Sequence, residues 1–137
     1  MIDVSGRGEV KMAPDQLPTI IPPGNLTTTT DTYVVPVLIA RAGDQAAWRY
    51  VEFFTANIRN PNTRRAYARA CTHFLAWCEQ GQLALTTIRS VHVATWVEQL
   101  QEKHSAPSVK QQLAAVRMLF DWLITGQVVP TNPAAAV

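Results

Sequence analysis

A change of period near residue 44 constrains this chain more than any other feature. Upstream of it lie five of the nine prolines (Pro14, Pro18, Pro22, Pro23 and Pro36) and the polar tract Thr27-Thr28-Thr29-Thr30-Asp31-Thr32. Proline fixes φ and removes a backbone donor, so no long helix fits before Pro36. Residues 1–40 therefore read as a flexible arm, with Val37-Leu38-Ile39-Ala40 docking onto the folded part as a short helical turn before Gly43. From Asp44 onward apolar side chains recur at steps of three and four, the period of a helix with one buried face, and no strand-like alternation interrupts them.

Punctuation divides this stretch into four helices. The first runs from about Asp44, its cap, to Ile58, with Trp48, Val51, Phe54 and Ile58 in one stripe; Asn60-Pro61-Asn62 ends it. The second runs from about Thr63 to Gln80, capped by Asn62 or Thr63, with Gly81 suited to a left-handed C-terminal position and Tyr67, Cys71, Phe74 and Cys78 facing inward. The third runs from about Val91 to Lys103 behind a Ser90 cap, burying Val93, Trp96, Val97 and Leu100. The fourth runs from about Pro107 to Thr125 behind Ser105 and closes at Gly126, with Val109, Leu113, Val116, Phe120 and Leu123 buried. Each helix carries one tryptophan, Trp48, Trp77, Trp96 and Trp122, which read as core and core-edge packing rather than a cofactor stack. The fold class expected is all-α, a four-helix bundle behind an N-terminal arm.

At 137 residues the chain makes one domain, and 47% apolar residues suffice for a core without metals or disulfides. Its longest clearly apolar run, Val34 to Ala40, is broken by Pro36 and falls far short of the ~20 residues that span a bilayer. No secretory signal is visible at the N-terminus, so a cytoplasmic location and no membrane partner are expected. Cys71 and Cys78, seven apart on one helix, would have Cα atoms roughly 10 Å apart, too far for a disulfide while the helix holds. A metal site of these cysteines with one histidine is the weakest reading, because no second ligand pair accompanies them. No cofactor is expected.

The net charge of +2 says little about partners; the placement of the charge says more. Between Phe53 and Thr72 stand Arg59, Arg64, Arg65 and Arg69 and no acid, although a solvated helix usually interleaves both signs. With Arg65 at 0°, Arg69 falls at about 40°, Asn62 at about 60° and Thr72 at about −20°, whereas Phe74 falls at about 180° and Cys78 at about 220°. The basic stripe thus faces away from the core. From Lys103 to Phe120 there is again no acid; Lys110 and Arg117 share one side, and Gln111 and Gln112 lie in the early turns. Glutamine offers donor and acceptor together, which suits an adenine edge, and the guanidinium fork suits phosphate or guanine. Thr63 and Ser108 stand at helix starts, where free N–H groups favour an anion. Two such faces would make a nucleic-acid platform; the competing reading is a solvated basic surface with caps of local effect.

No Gly-rich phosphate loop, His-Glu-x-x-His, Gly-x-Ser-x-Gly or paired-carboxylate pattern is present, and His73, His92 and His104 are scattered.

The string Asn60-Pro61-Asn62-Thr63-Arg64-Arg65-Ala66-Tyr67, followed by Phe74-Leu75-Ala76-Trp77-Cys78, resembles the second helix of the N-terminal core-binding (SAM-like) domain of tyrosine recombinases, the phage integrase and Xer-type family. Ser108-Val109-Lys110-Gln111-Gln112-Leu113-Ala114-Ala115-Val116-Arg117 resembles its fourth helix, and Asn132-Pro133-Ala134 the start of the linker to the catalytic domain. The likeness spans about residues 36–137. It implies a four-helix SAM-like core-binding bundle over 41–127, with 128–137 leading to a catalytic domain. It also implies a role in site-specific DNA recombination and integration, as one half of a clamp on double-stranded DNA, with other recombinase protomers as partners in a synaptic complex. The isolated domain would be a monomer, in a bacterial or phage-derived setting, nucleoid-associated when bound. By position, the DNA-facing residues would be Thr63, Arg64, Arg65 and Arg69, then Ser108, Lys110, Gln111 and Gln112, with the small Ala66 and Ala115 allowing close backbone approach.

The family's cutting machinery is a tyrosine nucleophile with arginines, a lysine and histidines in a C-terminal domain. This sequence has no His-x-x-Arg, and Tyr33, Tyr50 and Tyr67 do not fit the nucleophile, so no catalysis is expected of the chain by itself, the parent protein being a tyrosine recombinase. The alternative is a helical protein-interaction module that mediates recombinase oligomerisation or another partner contact without binding DNA, docking through exposed aromatics such as Tyr50 or Phe53.

Overall fold

The computed structural model describes residues 19–21 and 32–137. Most of the arm expected over residues 1–40 lies outside the described residues. Its described parts are two three-residue strands, β1 (Thr19–Ile21) and β2 (Thr32–Val34), paired in parallel with Ile20 opposite Tyr33, and the start of the first helix. The remaining elements are helical: α1 (Val37–Arg41), α2 (Asp44–Glu52) continuing as a π-helical turn over Phe53–Asn57, α3 (Pro61–Gln80), a 3₁₀ turn at Leu85–Thr87, α4 (Ser90–Gln101) and α5 (Ala106–Thr125). The fold is an all-α bundle, and the four expected helices are α2 to α5. The segment expected to dock as a short turn is α1, whose Leu38 and Ile39 are buried against α2 and α3.

The core is a single apolar cluster to which every helix contributes. At its centre the Phe74 ring meets Trp96 edge-on at 4.9 Å and Phe120 at 6.3 Å, which ties α3, α4 and α5 together. Such edge-to-face pairs suit the ring quadrupole. Phe53 and Phe54 are adjacent in sequence and both buried; the wider π turn carries both rings inward, with Tyr50 and Phe54 at 5.0 Å. Trp48, expected in the buried stripe of the first helix, is instead 43% exposed, because Ala46, Ala47, Tyr50 and Val51 form the inward face of α2.

Four boundary expectations are corrected. Asp44 is not a cap but the first residue of α2, behind Gly43 in the cap position. The cap of α3 is Asn60, not Asn62 or Thr63: its Oδ1 accepts from the N–H groups of Asn62 (2.8 Å) and Thr63 (3.1 Å), while Pro61 occupies the first helical position, where no N–H is needed. Ser90 lies inside α4; Arg89 stands in the cap position, and its N–H donates to His92 Nδ1 at 2.9 Å. Gly81 is not left-handed. That conformation falls to Gln82 (φ 61°), and Leu83 N–H reaches back to the Cys78 carbonyl at 3.1 Å. The same device recurs after Gly126, with Gln127 at φ 62° and Val128 N–H bonded to the Leu123 carbonyl at 2.8 Å. Both ends are Schellman motifs, in which the residue after the turn satisfies a carbonyl the helix would leave open.

Candidate nucleic-acid interface

α3 and α5 run in the same sense. Cys71 Sγ donates to the Ala115 carbonyl at 3.7 Å, and Phe74 meets Phe120 further along, so residue numbers rise together on the two helices. Both N-termini therefore lie towards one end of the bundle, where their dipoles add in favour of an anion. The start of α5 repeats the pattern of α3: Ser105 Oγ accepts from Ser108 N–H at 3.4 Å, and Pro107 sits in the first turn.

Between these helices opens a groove of about 380 Å³. From α3 it is lined by Ala66, Arg69, Ala70 and His73, a stripe at helical spacing. From the other side come Ser108, Gln111 and Gln112 of α5 and His104 of the preceding loop. Four of the eight residues singled out in sequence, Arg69, Ser108, Gln111 and Gln112, thus meet in one groove. The small side chains of Ala66 and Ala70 leave the space open.

The other four stand around it. Lys110 is exposed on α5, and Thr63 is half-buried in the first turn of α3. Arg65 is exposed and donates to Asn62 Oδ1. Arg64 is turned inward: its Nε (3.1 Å) and Nη2 (2.8 Å) both donate to the Ile58 carbonyl, closing the turn that leads into α3. Arg69 and Lys110 have no hydrogen-bond or ion-pair partner among the described residues. Within that set the ion pair present is Arg49–Glu52 at 3.4 Å, on α2. No carboxylate lines the groove.

Other expectations fare differently. Ala115 is fully buried and cannot approach a ligand. Arg117 does not extend the basic side begun by Lys110; its Nε donates to the Ala134 carbonyl at 3.0 Å and its Nη2 to the Val137 backbone oxygen. Asn132 Nδ2 bonds the Arg117 carbonyl (3.0 Å) and Asp121 Oδ1 (2.8 Å), so the Asn132-Pro133-Ala134 turn is stitched to α5. Tyr50 and Phe53, offered above as docking aromatics, are 1% and 0% exposed. Tyr50 Oη lies 3.4 Å from Thr72 Oγ1, and burial pushes its ionisation up. Cys71 and Cys78 are buried free thiols; burial raises both, Cys78 to about 12. Among the described residues no group of three or more His, Cys, Asp or Glu could hold a metal, and no helix is long and apolar enough to cross a membrane.

Sequence reading missed His73 and His104 as groove residues. The signal for His73 was its place four residues after Arg69 and seven after Ala66. For His104 none existed, because a loop residue has no period to read.

Residues 49–127, more than half of the chain, match the phage integrase N-terminal SAM-like domain. The chain belongs to that family. No curated protein and no solved structure gives a significant match. The matched span of this integrase-type domain runs from α2 to the turn after α5, and so includes both walls of the groove. Its core reaches further on both sides, to Leu38 and Ile39 before the match and to Val129 and Ala134 after it.

Proposed function

We propose that this integrase-family domain binds double-stranded DNA, as one half of a clamp used in site-specific recombination by a tyrosine recombinase. The carrying observation is the groove in which the outward face of α3 and the amide-bearing start of α5 stand together with no carboxylate among the lining residues. Carboxylates of the same molecule would neutralise such a face if it served only solvation. Thr63, Arg65, Arg69, Ser108 and Lys110 meet sugar–phosphate, whose oxygens accept hydrogen bonds and whose charge matches two helix N-termini. Gln111 and Gln112 reach base edges, and Gln112 is steadied by its 3.2 Å bond to Ser108 Oγ. Arg64 serves indirectly, by fixing the entry to α3 through the Ile58 carbonyl. Residues 41–127 form the binding domain, and 128–137 lead towards a catalytic domain that performs strand exchange.

The test is the salt dependence of duplex binding, followed by fluorescence anisotropy. Three phosphates neutralised by Arg65, Arg69 and Lys110 give a slope of log K against log salt of about −2.7. Arg65→Ala combined with Arg69→Ala should bring it to about −0.9 and weaken binding to all sequences alike. An unchanged slope would remove both arginines from the interface.

A further inference from the structure

We infer that His73 and His104 join Arg69 in a phosphate-binding subsite of the α3–α5 groove, one that takes a backbone phosphodiester of the bound duplex; this rests on the DNA-binding reading above. The two histidines lie more than 30 positions apart in sequence, yet both line the groove, one from each side, and both are exposed. Neither imidazole makes a hydrogen bond among the described residues. The His73 ring lies 6.3 Å from that of Trp96, a packing contact that orients it without using its nitrogens. Ala66 and Ala70 leave room for a group of phosphate size between the walls.

The chemistry of the lining selects the ligand. A protonated imidazole has two N–H donors and a positive charge, and a guanidinium has five donors and no acceptor. Arg69 presents donors alone, and His73 and His104 each present at least one ring N–H, which suits a phosphodiester, whose free oxygens only accept. Gln111 and Gln112, with donors and acceptors both, suit a base edge. The groove is thereby divided into an anchoring side and a reading side. The groups facing the imidazoles are Arg69 from α3, Trp96 from α4, and Ser108, Gln111 and Gln112 from α5, with no carboxylate among the lining residues to hold the charge in place of the ligand.

The experiment is titration of a labelled mixed-sequence duplex with the full chain at constant salt and pH. In H73Q/H104Q, which removes both imidazoles, affinity should fall about tenfold, with the far-ultraviolet helix signal unchanged. In H73K/H104K, which returns a donor and a charge to each wall, affinity should return to that of the unaltered chain or above. Full affinity in H73Q/H104Q, or no recovery in H73K/H104K, overturns the inference and leaves the DNA reading standing, whereas no duplex binding by the unaltered chain overturns both. A second arm follows the imidazole ring signals by NMR. Movement with duplex supports the inference; movement with inorganic phosphate alone and none with duplex marks a free-anion site and overturns it.

Discussion

The two ends of α5 meet opposite surroundings. Near its C-terminus, Trp122 Nε1 donates to the Arg49 carbonyl at 2.7 Å, Gln45 Nε2 donates to the Gly126 carbonyl at 3.0 Å, and Arg49 pairs with Glu52. Arg49 also lies across Gly126, where a Cβ would come within 2.8 Å of its side chain. At the other end Arg69 and Lys110 have no such partner, and the groove stays open. Both ends carry arginine; they differ in what the fold does with it. At the closed end the Arg49 charge is met by a carboxylate of its own helix while neutral donors bond α2 to α5, and at the open end charge is left outward beside open volume, where it can serve a ligand.

That contrast can be broken from either side. The largest effect on stability should come from alkali, which acts on the buried core. Burial raises Tyr50, Cys71 and Cys78, so the folded chain keeps protons that the unfolded chain gives up. Stability is then full below about pH 9 and falls as pH climbs towards the value of about 12 for Cys78. Thermal melts across that window should show a steady decline. Next, Phe120→Ala should cost about 3–5 kcal/mol in urea unfolding, since the ring is fully buried against Phe74. At the open end the signs reverse. Arg69→Glu should change stability by no more than about 0.5 kcal/mol while lowering duplex affinity about tenfold or more. Asn60→Ala, which uncaps α3, should cost about 1 kcal/mol. Smallest of all, Gln82→Gly or Gln127→Gly should stabilise by about 0.5 kcal/mol, because each glutamine occupies a left-handed position that glycine takes without strain.

Much of this architecture was legible in sequence, and the failures share a cause. Helical period located α3, α4 and α5 because each buries one face, and it turned Arg65 and Arg69 outward relative to Phe74 and Cys78. Boundaries failed where two residues close in sequence could play one part: Gly43 against Asp44, Asn60 against Asn62, Arg89 against Ser90, Gly81 against Gln82. Local chemistry permits either choice, and packing decides. Period also misjudged α2, where the alanines at 46 and 47 let the helix sit close and roll Trp48 outward. Distant contacts left no trace at all. Nothing in the residues around Arg117 announces that it holds Ala134 and Val137, or around Arg64 that it serves the Ile58 carbonyl. The groove itself was half legible: its α3 and α5 stripes follow from spacing, and the joining of His73 to His104 does not.

The most direct test is a map of backbone amide shifts as a duplex is added to isotope-labelled protein. Perturbations should cluster over Thr63 to His73 and His104 to Gln112, with Gln45 to Glu52 silent. Shifts confined to α2, with both groove walls unmoved at saturating duplex, would contradict the placement of the DNA surface between α3 and α5.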